Sequence, residues 1–131
     1  MDSIWSESVQ LPVFEELRQN IKTDVLIVGG GMAGLLCGYM LKKAGIGAVI
    51  TEAARIGSGT TQNTTAKVTL QHGLLYSRLL KKFGQEKARM YLQANSAALE
   101  EYKKICRFID CDFEGKDSFV YSLQNRAVLE L

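Results

Sequence analysis

Three residue types that build common sites are scarce in this chain: there is one proline, Pro12, one histidine, His72, and one tryptophan, Trp5. Cysteine is sparse too, with Cys37, Cys106 and Cys111 forming an odd set. Cys106 and Cys111 are not a C-x-x-C pair and no histidine cluster accompanies them, which excludes a zinc site and leaves three free thiols in a reducing compartment. Cys37 reads as a small core residue. Charge of one sign is also missing. Sixteen basic against fourteen acidic residues give +2, too mild to draw nucleic acid or an anionic membrane surface, and no basic run is interleaved with aromatics. No apolar stretch nears the ~20 residues that span a bilayer. The start, MDSIWSESVQ, lacks the positive and apolar regions of a secretory signal. There is no internal repeat and no low-complexity tract. These absences point to a cytoplasmic globular chain, and 131 residues is an ordinary single-domain length, enough to bury a core.

What is present is concentrated between Asp24 and Glu52, in DVLIVGGGMAGLLCGYMLKKAGIGAVITE. Val25 to Val28 is a short continuous apolar run, as in a parallel strand covered on both faces. Gly29, Gly31 and Gly34 then satisfy G-x-G-x-x-G, with Gly30 in the first variable place. Gly29 permits the tight turn, Gly31 lets backbone approach a pyrophosphate, and Gly34 lets the next helix pack closely on the strand. That helix, about Met32 to Ala44, aims the N–H groups around Met32 and Ala33 at the diphosphate. Lys42 and Lys43 suit its C-terminal end, and Gly45 follows the last turn. Ala48 to Thr51 reads as a second strand. Glu52 ends it, eighteen residues after Gly34, within the offset of a carboxylate that accepts hydrogen bonds from ribose hydroxyls. Strand before, helix after and acid at distance make the glycine turn a dinucleotide site.

An acid at position 52 argues against NADP, whose 2′-phosphate it would repel. It does not separate NAD from FAD, and an NAD-binding dehydrogenase fragment stays open on these residues. Ala53 to Thr69 is a long loop of small, hydrogen-bonding residues that could run beside an extended ligand.

DVLIVGGGMAGL followed by TEAARIGSGTTQNTTAKVTLQHGLLYSRLLKKFG resembles the N-terminal part of FAD-dependent oxidoreductases of the D-amino-acid oxidase/glycine oxidase (DAO) superfamily. With the leader SIWSESVQLPVFEELRQNIKTDVLIVGGG, it resembles the bacterial subgroup that often carries a C-terminal Rieske [2Fe-2S] domain. The resemblance implies FAD as cofactor. It places Gly29, Gly31 and Gly34 at the pyrophosphate, with Gly30, Met32 and Ala33 between them, and Glu52 with Ala53 at the adenine ribose. Arg55 would lie near the adenosine, Thr60 and Thr61 by the diphosphate, and Thr64, Thr65 and Ala66 by the isoalloxazine. It also implies oxidation of an amine or amino acid by hydride transfer to flavin, with electrons passing to oxygen or to an iron–sulfur centre. No acid, base or nucleophile can be named as catalytic. His72 follows the loop, and a structural or surface role suits it better than a pocket wall.

The fold class expected is α/β: an incomplete Rossmann-like FAD-binding βαβ unit, followed by helices and the start of an antiparallel β hairpin. Residues 1–23 form a leader with a short helix over Val13 to Asn20, or alternatively a disordered arm, and 24–110 the partial FAD-binding domain. In the latter, Gly73 to Phe83 is a helix stopped by Gly84. Gln85 to Asp110 is a longer one with an apolar stripe of Tyr91, Ala94, Ala98, Tyr102, Ile105 and Ile109. Residues 111–131 begin a substrate-domain hairpin, with strands at 112–114 and 118–122 about a Gly115 turn and a further helix from Gln124. Only two parallel strands can be counted where a doubly wound domain has five or six. The expectation is therefore a truncated piece of a longer enzyme, inactive alone, with exposed apolar surface and weak or no flavin retention. A remnant or a nucleotide-binding subunit that needs a partner chain is the non-catalytic alternative.

Overall fold

The computed structural model describes residues 3–121 and 123. The order is α1 (Ile4–Ser8), β1 (Val25–Val28), α2 (Met32–Lys43), β2 (Ala48–Thr51), a 3₁₀ turn at Thr61–Asn63, and α3 (Leu75–Cys106). The chain divides into two compact units, one ending at Ala66 and the other beginning at Lys67.

In the first unit β1 and β2 pair in parallel, Val25 opposite Ala48 through Val28 opposite Thr51. The Gly29 N–H continues the ladder to the Thr51 carbonyl at 2.8 Å. α2 lies on this pair through its small residues. A Cβ on Gly34 would sit 3.3 Å from Ile27 Cγ2, and one on Gly38 would sit 2.7 Å from Ile50 Cδ1. Spaced four apart, the two glycines share one helix face, so the helix settles close to Ile27 and Ile50. The helix ends in a Schellman motif: Gly45, at φ +75°, donates to the Lys42 carbonyl at 3.0 Å, and Ile46 donates to Leu41 at 2.9 Å. Both strands and α2 lie where the residue pattern puts them.

Burial is thinner than the length suggests. Among the described residues the one buried hydrophobic side chain is Ala88. Val25 and Ile27 are half-buried, whereas Leu26 and Val28 on the opposite face of β1 are 57% and 82% exposed. A parallel sheet ordinarily has helices on both faces; here α2 covers one. Cys37 is exposed rather than in a core, since the covered face of α2 is the one that carries Gly34 and Gly38.

The leader differs from expectation. Its helix is Ile4–Ser8, capped by the Ser3 hydroxyl, which accepts from Trp5 N–H at 3.3 Å. Val13 to Asn20 is not helical: eight residues cannot carry the cost of helix nucleation without packing, and Val13 and Phe14 find none.

The second unit is built on α3, which breaks at Gly84, at φ +79° and ψ 172°, a conformation essentially reserved for glycine. The two helical arms thus match the expected pair, and Tyr76 of one meets Tyr91 of the other edge-on, with centroids 6.1 Å apart. The less exposed line along the second arm runs through Ala88, Asn95, Leu99, Tyr102 and Cys106. Ala94 and Ala98 lie off it, a shift from the expected stripe. The hairpin expected over 112–122 is not formed among the described residues. Residues 112–121 carry no strand, and Phe119 and Tyr121 are exposed. A lone two-stranded hairpin is marginal in water, and here these aromatics have no further sheet to pack on. The helix expected from Gln124 lies outside the described residues.

Candidate functional site

The glycine turn joins the C-terminal end of β1 to the first turn of α2. Gly29 sits at φ +108°, the left-handed side that a Cβ disfavours, and so swings the chain out of the strand. Gly31 is the extended N-cap of α2. The first intrahelical bond runs from Leu35 N–H to Gly31 O at 3.0 Å. The N–H groups of Met32, Ala33 and Gly34 therefore precede the helical ladder and point out of its positive end. A Cβ on Gly34 would fall 2.0 Å from the carbonyl oxygen of Gly29. The turn can close this tightly only with glycine at that position.

Glu52, one residue past β2, reaches back to this turn. Its Oε2 accepts from Gly30 N–H at 2.7 Å and its Oε1 from Ala54 N–H at 3.0 Å. The bond from Gly30, then that from Ala54, holds its carboxyl below the usual range against the opposing effect of desolvation, with Ala53 N–H contributing least. The side chain is thus an anion anchored at the glycine turn. A carboxylate offers about four acceptor positions, so two backbone bonds leave capacity for hydroxyl donors.

The loop after Glu52 folds back onto the turn at two points. Gly57 N–H donates to the Gly30 carbonyl at 2.8 Å, and the Thr61 hydroxyl accepts from Met32 N–H at 3.0 Å. Gly30, placed by its spacing as a neutral member of the motif, is therefore the residue through which both Glu52 and the loop are fastened. Thr61 lies 3.1 Å from where a Cβ on Gly31 would be. The loop also braces itself: Ser58 N–H and Oγ both donate to the Arg55 carbonyl, at 3.2 and 2.6 Å, and Asn63 Nδ2 donates to Gly59 O at 2.8 Å.

Of the residues singled out from sequence, Gly29, Gly30, Gly31, Met32, Ala33, Gly34, Glu52 and Thr61 converge on one turn. Ala53 joins them through its backbone N–H toward Glu52. Arg55, Thr60, Thr64, Thr65 and Ala66 are exposed along the loop. Thr64 Oγ1 accepts from Ala66 N–H at 3.2 Å, and Ala66 sits at φ +52°. Sequence reasoning missed Ala54, Gly57 and Asn63. The glycine is the one of these with a readable signal, because its φ of +69° needs a residue of that type. His72 is exposed and belongs to the second unit. Among the described residues no group of His, Cys, Asp and Glu could hold a metal ion, and no helix is long and apolar enough to cross a membrane.

A shallow concavity along Leu35, Tyr39, Lys42, Ile46 and Ile50 runs toward the C-terminal end of α2, away from the glycine turn. Its lining is mostly apolar, with Lys42 the one charged side chain.

The chain is 37% identical over 132 aligned positions to a protein named as a Rieske 2Fe-2S iron-sulfur protein, YhfW, of Bacillus subtilis, covering 99% of this chain and 26% of that one. It is 31% identical over 111 residues to gamma-glutamylputrescine oxidoreductase of Escherichia coli, covering 82% of this chain and 26% of the relative. A chain of Pseudomonas aeruginosa named as an FAD-dependent oxidoreductase, PA4991, is 39% identical over 61 residues. This chain thus spans about a quarter of the length of the first two relatives. No solved structure matches it. Residues 24–130 match the family described as FAD dependent oxidoreductase, DAO, and the chain therefore belongs to the DAO family, whose cofactor is FAD.

Proposed function

We propose that the unit ending at Ala66 grips the adenosine diphosphate half of FAD. In this reading the diphosphate lies against Gly30, Gly31 and the N–H groups of Met32, Ala33 and Gly34, the first of which also donates to Thr61. Glu52 accepts from the adenine ribose hydroxyls, with Ala53 and Arg55 beside the adenosine. Thr60 and Thr61 donate to the diphosphate, and Thr64, Thr65 and Ala66 border the isoalloxazine.

The observation that carries the reading is Glu52. Its carboxylate turns inward to Gly30 N–H at 2.7 Å, so it sits at the turn as an ionised acceptor with capacity to spare. The fit to FAD follows from the chemistry of the donors and acceptors present. Backbone N–H groups at a positive helix end suit phosphate oxygens. The carboxylate suits a vicinal diol and repels a 2′-phosphate. Thr61, while accepting from Met32 N–H, keeps its own O–H to donate. Gly30 is buried against Ile56 and Glu52, whereas Gly29 and Gly31 stay partly open.

The whole protein is then an oxidoreductase acting on an amine or amino acid, a substrate class in keeping with the name of the Escherichia coli relative. Bound FAD would supply a hydride acceptor for the C–H bond beside the nitrogen. The residues of this chain bind and orient that cofactor, and none of them is assigned as acid, base or nucleophile. The mild charge balance fits a cytoplasmic enzyme of small molecules.

Separate titrations of the purified chain with FAD, ADP and NADP test this. FAD and ADP bind competitively, NADP binds far more weakly, and Glu52→Gln weakens FAD and ADP together. Equal affinity for NADP, or an unchanged Glu52→Gln variant, would overturn it.

A further inference from the structure

The N-terminal leader is not merely adjacent in sequence to the nucleotide-binding unit; it is fastened to the loop that follows β2. The Ser3 hydroxyl donates to the Gln62 carbonyl. Two residues on, the Trp5 indole N–H donates to the Thr64 carbonyl at 2.8 Å. The spacing matches on both sides: donors at 3 and 5, acceptors at 62 and 64. Each bond spans 59 residues of sequence. α1 holds the two donors in place, because Ser3 also accepts from Trp5 N–H as the cap of that helix. Farther along the leader, Leu11 Cδ1 lies 2.9 Å from where a Cβ on Gly57 would be, so the segment follows the loop over much of its length.

The other bonds that shape residues 60–66 are short-range, such as Asn63 N–H to Thr60 O at 3.1 Å and Ala66 N–H to Thr64 Oγ1 at 3.2 Å. Thr61 alone in this stretch bonds to the start of α2. An exposed loop held at Thr61 and free beyond it would fray, since ordering each residue costs ~1–2 kcal/mol of backbone entropy. Two long-range bonds at Gln62 and Thr64 oppose that fraying where the loop leaves the glycine turn.

We propose that Ser3 and Trp5 form a latch that positions residues 62–66 for the flavin end of FAD, Trp5 being a positioning residue that sets the Thr64 carbonyl and with it Thr64, Thr65 and Ala66. This rests on the assignment of that loop to the isoalloxazine made above. Because the adenosine diphosphate grip is built from Gly30, Met32 and Glu52 instead, the latch separates the two halves of the ligand: it matters for FAD and not for ADP.

The test uses the full chain and its Trp5→Phe variant, which keeps an aromatic ring and removes the N–H. Without cofactor, amide exchange at residues 62–66 should quicken by about tenfold, the worth of one hydrogen bond. FAD affinity should fall by about the same factor, the visible circular dichroism of the bound flavin should change, and ADP affinity should stay at the wild-type value. Ser3→Ala should act in the same direction. Unchanged exchange at 62–66 would overturn the latch. ADP and FAD weakening in step would also overturn it, by marking general damage to the unit. Failure of the underlying assignment reads differently: exchange at 62–66 would quicken in Trp5→Phe while FAD, like ADP, bound as it does to the wild-type chain, and the positioning role would fall with it.

Discussion

Replacing Gly34 by alanine tests the turn most severely for the smallest change in chemistry. A Cβ built there lies 2.0 Å from the carbonyl oxygen of Gly29 and 3.1 Å from its carbonyl carbon. Both are backbone atoms, so no rotamer change relieves the contact. Carbon–oxygen contacts settle at about 3.3 Å, so the start of α2 and the turn must separate by about 1.3 Å. Overpacking of this kind costs up to about 3 kcal/mol, against which alanine regains about 1 kcal/mol of helix propensity. The net loss of about 2 kcal/mol corresponds to a melting temperature lower by about 6–10 °C. The same shift draws the N–H groups of Met32, Ala33 and Gly34 away from a diphosphate, and loss of one charge-assisted bond weakens FAD binding by about 10–100-fold. Gly38→Ala is the control. Its Cβ would meet Ile50 Cδ1 at 2.7 Å, but that atom is the tip of a flexible side chain. A cost of about 1 kcal/mol is met by an equal gain in propensity, and both stability and binding stay near wild type. Far-UV circular dichroism melts and FAD titration of the two variants measure the contrast. Gly34→Ala behaving as wild type, or Gly38→Ala proving as damaging, would refute the reasoning.

Further outcomes follow from other parts of the structure. Gly84→Ala places a Cβ at φ +79°, ψ 172° with nothing within 4 Å to blame, so a loss of about 1–3 kcal/mol in urea unfolding would come from backbone strain alone, and no loss would mean that the break between the helical arms is not as described. The depressed pKa of Glu52 gives binding and stability contributions that are fully present above the ordinary carboxylate range and disappear only as pH falls through the lower folded value. FAD affinity should accordingly be flat from neutral pH down to about pH 5 and decline in stronger acid, with the acid limb absent in Glu52→Gln. Thr61→Val removes the acceptor from Met32 N–H and costs about 1 kcal/mol, as for a lost helix cap; a melt that does not move would show that water replaces the hydroxyl without loss.

Much of the first unit was legible because local chemistry decides it. The run Val25 to Val28, the glycines and the acid after Thr51 are each constrained by backbone geometry, and β1, α2 and β2 fall on the expected residues. Gly84 was legible for the same reason. What could not be read depends on partners distant in sequence. Nothing near Val13 says that the leader helix forms instead at Ile4–Ser8, where Ser3 and Trp5 find carbonyls of the loop beyond β2. The alternation around Gly115 suggests strands, but strands need a sheet, and residues 112–121 pair with none. Gly30 illustrates the limit within the motif itself: spacing makes it a filler, whereas its N–H and carbonyl, bonded to Glu52 and Gly57, tie the turn to the acid and the loop. The extent of burial could not be read from composition for a related reason. Composition counts apolar residues, but Leu26 and Val28 are covered only if a second layer lies on their face of the sheet.

The central claim is that a nucleotide diphosphate sits on the amino end of α2 with its ribose at Glu52. Backbone amide shifts of the isotopically labelled chain during an ADP titration address it residue by residue. The account predicts saturable shifts at Gly30, Gly31, Met32 and Ala33 together with Glu52 to Ala54. Saturable shifts elsewhere, with these amides unmoved, would contradict it.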